Sequence, residues 1–338
     1  MNKRKKIFII YTGGTIGMQP SKRGYTPAAG FLTQQLAKIP ELQYPDMPLY
    51  TIKEYATLID SANMTPQQWN KIANDIMEVY HEYDGFIVLH GTDTMAYTTS
   101  ALSFMLENLT KPVIVTGSQL PLFEIRTDAR QTIITSLLII NNYAIPEVCL
   151  YFGHQLFRGN RARKMSVFSF TAFASPNFPP LVAAGTNFDS NETLWRKPSR
   201  KKLKLQKINE PMLVWLRLFP GMSCDILRQI LQTPVQAIVL ETFGSGNAPD
   251  NNPELIKLLK QACARGVVIV NLSQCLYGSV DMTQYATGSA LAEAGLISSY
   301  DMTPEATLTK LYYLFSKEKS ITKIKQQFQQ DLCGELTV

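Results

Sequence analysis

The chain has 338 residues, 45% of them hydrophobic and 18% charged, which excludes a disordered chain and allows two domains with sizeable cores. A formal net charge of +6 raises a nucleic-acid or anionic-membrane partner, but the surplus is local. Lys3, Arg4, Lys5 and Lys6 form one cluster and Arg196, Lys197, Arg200, Lys201, Lys202, Lys204 and Lys207 another; without these eleven cations the chain carries 22 basic and 27 acidic residues, a balance of −5, which excludes a broadly basic surface.

An apolar run over 7–11 (IFIIY) predicts a central parallel strand covered on both faces, broken at Gly13-Gly14. Residues 50–59 predict a second strand ending at Asp60-Ser61. Thr65-Pro66-Gln67-Gln68 is a helix start, with Thr as cap, Pro in the first turn and Gln completing a capping box. Trp69, Ile72, Ala73, Ile76, Met77 and Tyr80 follow at helical spacing. Residues 85–89 (GFIVL) predict a strand that runs into His90-Gly91-Thr92-Asp93-Thr94. A helix over 95–109, a strand over 113–115, a helix over 128–141 and a strand over 148–152 complete this half.

From 173 to 180 the chain is rich in Pro and aromatics, and from 187 to 211 it is polar and basic, which reads as a solvated linker. The alternation then resumes: strand 212–216, helix 223–231, strand 237–240, helix 253–265, strand 267–272, helices 303–316 and 320–330. The fold class is α/β, with a larger N-terminal doubly wound sheet and a smaller C-terminal parallel sheet. The expected domains are 1–190 and 212–338, joined by a basic linker over 191–211.

Cys149, Cys224, Cys263, Cys275 and Cys333 are odd in number and contain no CxxC, so neither a disulfide framework nor a zinc ribbon is expected. His81, His90 and His154 lack metal-ligand spacing, and no metal or cofactor is expected. The N-terminal apolar run is too short for a signal-peptide core, and no stretch reaches the ~20 residues of a membrane span. A cytoplasmic, reduced protein that binds neither membrane nor nucleic acid follows.

Ligands of open α/β sheets bind beyond the carboxyl ends of the strands. The first such end is Thr12-Gly13-Gly14-Thr15-Ile16-Gly17; it lacks the lysine and spacing of a phosphate loop, but it holds a hydroxyl, Thr15, among glycines. The second, His90 to Thr94, sets two hydroxyls around a carboxylate, and its backbone N–H groups suit an oxyanion. The third is Asp60-Ser61, which alone reads as a turn or cap. A nucleophilic threonine needs a base. The histidines, a lysine kept neutral by burial such as Lys164, and a tyrosine such as Tyr25 are all candidates. Lys164 follows Arg158-Gly159-Asn160-Arg161, near a strand-like Val167-Phe168.

Residues 9–17 (IIYTGGTIG) and 85–95 (GFIVLHGTDTM) resemble the two signatures of the bacterial-type asparaginase/glutaminase family, in the same order and spacing. The similarity extends over nearly the whole chain, through Arg158-Gly159-Asn160-Arg161, residues 243–249 (FGSGNAP) and residues 285–288 (YATG), and with no signal peptide expected the chain resembles the cytoplasmic type I branch rather than the periplasmic type II branch. The resemblance implies hydrolysis of L-asparagine to L-aspartate and ammonia by a homo-oligomer, usually a dimer of dimers. It implies Thr15 as nucleophile with Tyr25 beside it on a mobile loop. It implies Thr92, Asp93 and Lys164 as a second catalytic group. Gly14, Asp60, Ser61, Gly91, Thr92, Asp93 and Asn247 would bind substrate. Ser61 and Asp93 would hold its α-carboxylate and α-ammonium. Asn247 and residues near Asp281 would serve a neighbouring subunit.

Two departures stand out. Ala62 follows Ser61 where periplasmic members carry a polar side chain, which shifts the ammonium onto Asp93. Some type I members bind asparagine at an activating site; the equivalent places here hold Arg163 and Glu241, with the charges exchanged. The alternatives are a glutaminase or amidotransferase-type amidase and a non-catalytic asparagine sensor, and the retained threonines and Lys164 argue against the sensor.

Overall fold

The structure is a computed structural model that describes residues 4–22 and 24–337; Lys3 of the basic N-terminal cluster lies outside them. The chain divides into two compact units between Gln206 and Lys207.

The first unit is built on eight strands in the order Phe188–Ser190, Val182–Ala184, Gln155–Arg158, Val148–Phe152, Val113–Thr116, Gly85–Leu89, Lys6–Tyr11, Leu49–Glu54. The last five are mutually parallel, and the other three join antiparallel. Ile9 lies opposite both Ile52 and Ile87, and Ile87 opposite Ile114. Ile7, Ile9, Tyr11, Ile87 and Leu89 share a core with Ile133, Leu137 and Ile140 of the Ala129–Asn142 helix. The alternate residues Phe8, Ile10, Phe86 and Val88 face the other way and are buried too. Both faces of the sheet are therefore covered, which is why these strands read as unbroken apolar runs.

Counted along the chain, the five parallel strands lie in the order 2-1-3-4-5. The direction of winding reverses between Lys6–Tyr11 and Gly85–Leu89, and such a reversal opens a crevice at the carboxyl ends.

The Pro66–Val79 helix starts as expected: the Thr65 backbone N–H donates to the Gln68 side chain at 2.8 Å, and Trp69, Ile72, Ala73 and Ile76 are buried. Three expectations change. The strand expected over 50–59 stops at Glu54, and the Ile59 N–H instead donates to the Thr12 carbonyl at 2.7 Å. The helix expected to reach 109 ends at Met105, because Leu106–Glu107 pairs with Lys204–Leu205 and Asn108 turns at φ 66°. The basic stretch is consequently not a solvated tether. Its Gln206 N–H donates to the Met105 carbonyl at 2.9 Å, and Ser199 Oγ to Asn108 Oδ1 at 3.0 Å, while its lysines stay exposed.

The second unit has four parallel strands, Leu213–Arg217, Ala237–Thr242, Val268–Ser273 and Ile297–Ser298, in chain order. This sheet has no reversal and so no crevice of that kind. The Cys224–Ile230, Pro253–Ala264 and Pro304–Lys317 helices are capped by Ser223, Asn252 and Thr303, whose side chains accept from backbone N–H groups. None of the five cysteines forms a disulfide. No helix among the described residues is long and apolar enough to cross a membrane.

Candidate active site

The three strand ends singled out in the sequence meet at the reversal point. The Thr12 N–H and hydroxyl both donate to the Leu89 carbonyl, at 3.0 and 2.9 Å. Gly14, at φ +89°, lies so close to the second loop that a Cβ there would stand 2.5 Å from the Gly91 nitrogen. A Cβ at Gly91 would stand 2.5 Å from Ser61 Oγ. Only glycine permits both approaches. The Thr94 hydroxyl, one of the two flanking Asp93, donates to the Ser61 carbonyl at 2.7 Å and ties the third loop to the second.

Thr15 opens a single helical turn, Thr15–Gly17. It is half-buried, and its hydroxyl has no hydrogen-bond partner among the described residues. Ser61 is buried in the Ser61–Asn63 turn, where the Asp60 carboxylate accepts from the Ala62 N–H at 3.1 Å, so Asp60 acts on backbone.

Lys164 Nζ donates to Thr92 Oγ1 at 2.9 Å and to Asp93 Oδ1 at 2.7 Å. Thr92 is 8% exposed, whereas the Asp93 side chain is 63% exposed. The pair is therefore a buried hydroxyl and an open carboxylate bridged by one ammonium. Lys164 is positioned by the short strand Arg163–Lys164 pairing with Phe173–Ala174, whereas Val167 and Phe168, expected to be strand-like, are exposed and outside any strand.

The histidines are not the base. His90 is buried, and burial pushes its imidazole down to about 4, so it is neutral at pH 7. Its Nδ1 lies 2.7 Å from the Gly91 carbonyl and its Nε2 2.9 Å from Thr98 Oγ1, which also accepts from Trp69 Nε1 at 2.9 Å. A neutral ring satisfies this set only with the proton on Nδ1 and with Nε2 accepting from Thr98. Both nitrogens are thereby committed. His81 and His154 lie exposed in turns.

Tyr25 sits on the hairpin formed by Met18–Ser21 and Gly24–Pro27, 47% exposed, with its hydroxyl donating to Glu124 Oε1 at 2.8 Å. That acceptor holds the phenol above its ordinary pKa.

Two of the expected residues belong to the second unit, and a third neighbours Lys164 on its short strand. Asn247 is in the second unit, where its Oδ1 accepts from the Thr287 hydroxyl at 2.7 Å. Glu241 is also there, buried, with Oε2 taking Arg217 Nη1 and Trp215 Nε1, each at 3.4 Å. Arg163 is in the first unit. No group of three or more His, Cys, Asp or Glu that could hold a metal is found among the described residues.

Threonine hydroxyls on two strand ends, one of them hydrogen-bonded to a lysine, at the reversal point of a parallel sheet mark this as an α/β enzyme. More narrowly, the chain belongs to the asparaginase/glutaminase family: the model described as "Asparaginase, N-terminal" matches residues 6–196, and "Glutaminase/Asparaginase C-terminal domain" matches residues 214–328. It is 50% identical over 335 residues to a protein of Escherichia coli strain K12 named L-asparaginase 1, covering 99% of both chains. It is 41% identical over 360 residues to the 60 kDa lysophospholipase of Mus musculus, covering all of this chain and 64% of that one. The crystal structure of L-asparaginase I from Vibrio cholerae superposes with a TM-score of 0.93 at 51% identity, covering 99% of this chain and all of that one.

Proposed function

We propose that this chain hydrolyses L-asparagine to L-aspartate and ammonia in the crevice between Thr15 and the Thr92–Asp93–Lys164 group. The observation that carries the reading is the lysine bridge: one ammonium, 2.9 Å from a buried hydroxyl and 2.7 Å from an open carboxylate, on a loop that meets the Gly14 loop, whose Thr15 hydroxyl has no partner among the described residues. Asparagine is a small zwitterion with a neutral amide. It needs a carboxylate for its ammonium, donors for its carboxylate and a nucleophile at its far end, and Asp93, Ser61 and Thr15 supply these.

In the reaction, Thr15 Oγ1 bonds to the side-chain amide carbon and loses its proton, with Tyr25 as the neighbouring hydroxyl that relays it. The C–N bond then breaks, the nitrogen takes a proton and leaves as ammonia, and an ester to Thr15 remains. The Lys164–Thr92 pair activates the water that cleaves this ester and regenerates Thr15. Backbone N–H groups of the loop at Thr92 face the developing oxyanion, where fixed donors are worth most. Gly14 and Gly91 allow the backbone to approach that close.

In the same reading the enzyme is a cytoplasmic homo-oligomer, a dimer of dimers, and Asn247 serves a neighbouring subunit's substrate. An effector site at Arg163 and Glu241 predicts a sigmoidal dependence of rate on asparagine, and a hyperbolic one refutes it.

The test is ammonia release from L-asparagine, L-glutamine and D-asparagine, beside fatty-acid release from lysophosphatidylcholine. L-asparagine is expected to lead. Preference for glutamine redirects the reading to a glutaminase, and no ammonia from any amide overturns it.

A further inference from the structure

The hairpin that carries Tyr25 is exposed along most of its length. Gln19, Pro20, Ser21, Gly24 and Tyr25 are all exposed, and a two-stranded ribbon without a buried face is marginal by itself. Tyr25 itself meets one loop, residues 117–128, which follows the Val113–Thr116 strand. There the Glu124 carboxylate accepts from the Tyr25 hydroxyl at 2.8 Å. The Phe123 ring meets Tyr25 edge-on at 6.1 Å between centroids and Phe31 at 6.2 Å.

The loop is rigid at its base. The Asp128 carboxylate accepts from the Gln119 and Leu120 N–H groups at 2.9 and 3.0 Å, and Ser118 Oγ donates to the Leu120 carbonyl at 2.6 Å. It also reaches both halves of the proposed site. The Leu122 N–H donates to the Ile16 carbonyl at 3.1 Å, one residue beyond Thr15. On the other side Gln119 Nε2 donates to the Ser169 carbonyl at 2.9 Å, five residues beyond Lys164.

The geometry points to Glu124 as the positioning residue for Tyr25, and to the 117–128 loop as a brace that holds the tyrosine hairpin closed over Thr15. Glu124 does not touch substrate; it acts through the Tyr25 hydroxyl. The catalytic consequence rests on the asparaginase reading, whereas the brace itself does not.

Two measurements separate these. The first is hydrogen–deuterium exchange of the backbone amides of residues 18–27 in the full chain. Glu124→Ala is expected to speed exchange several-fold, Tyr25→Phe to do the same, and Glu124→Gln, which keeps an oxygen acceptor, to change it by less than about twofold. Unchanged exchange in Glu124→Ala overturns the brace whatever the substrate is.

The second is a double-mutant cycle on ammonia release. Glu124→Ala is expected to lower kcat/KM about tenfold, and Glu124→Gln to recover it to within about threefold of wild type. In a Tyr25→Phe background Glu124→Ala is expected to add no more than about twofold. A full tenfold loss in that background overturns positioning through Tyr25. If wild type releases no ammonia from L-asparagine, the proposed function falls, and the exchange result still decides the brace.

Discussion

Acidification from pH 7 to pH 5 should destabilise the first unit through a single buried imidazole. His90 is held neutral, with its folded-state pKa pushed down to about 4 by burial, against an opposing pull from the Gly91 carbonyl. In the unfolded chain it returns to the ordinary value near 6.5. The folded state therefore binds fewer protons than the unfolded state between these values. The stabilisation is fully present above pH 6.5 and is lost as the pH falls towards 4. With one pKa unit worth about 1.4 kcal/mol, the loss is about 2 kcal/mol at pH 5 and about 3 kcal/mol at pH 4. Urea unfolding at pH 7, 6 and 5 reads it, followed by Trp69, whose indole N–H belongs to the same network, in a background with Trp195 and Trp215 replaced by Phe. His90→Gln, which keeps a donor for Gly91 and an acceptor for Thr98, removes the titration. The wild type should lose about 2 kcal/mol more than this variant between pH 7 and pH 5. Equal slopes for the two would refute the buried neutral histidine. The variant should also keep its turnover within about tenfold, since His90 has no free nitrogen to act as base.

Other substitutions probe the loops that meet at the crevice. Gly14→Ala forces a methyl to within 2.5 Å of the Gly91 backbone at φ +89° and should abolish ammonia release while lowering the melting temperature by several degrees. Thr94→Ala removes the tie to the Ser61 carbonyl, a bond worth about 1 kcal/mol, and should raise KM about fivefold with little change in kcat. Lys164→Met keeps the stem and removes the ammonium shared by Thr92 and Asp93; kcat should fall by a factor on the order of a hundred or more. Lys164→Arg should not restore it, because a broad planar guanidinium cannot take the place of a compact ammonium held 2.9 Å from Thr92 Oγ1 and 2.7 Å from Asp93 Oδ1.

The elements legible in the sequence are those whose pattern is local. The runs at 7–11 and 85–89 are apolar throughout because helices cover both faces of the sheet, and the capping box at Thr65 and Gln68 is written in four adjacent residues. The elements without periodicity escaped. The Tyr25 hairpin is polar, the Phe31–Leu36 helix is short, the Ala286–Glu293 helix is made largely of small residues, and the strand that positions Lys164 has two residues.

The same division runs through the site. Thr15, Ser61, Thr92 and Asp93 lie at ends of apolar runs and could be picked out there. His90 offered itself as a base because nothing in its neighbours announces the bonds to Thr98 and Trp69. Thr94's partner is 33 positions away and Glu124's is 99, and such contacts leave no local trace. The basic stretch before Gln206 looked like a tether because charge composition is visible in sequence, whereas the backbone pairing that pins it to residues 105–108 is not.

Thr15 is the residue on which the proposed chemistry depends most directly. Ammonia release from L-asparagine by Thr15→Ala, measured beside wild type with the near-ultraviolet circular dichroism of both recorded, should fall below about one-thousandth of the wild-type kcat with the fold unchanged. Turnover within about tenfold of wild type would contradict a threonine nucleophile at this strand end.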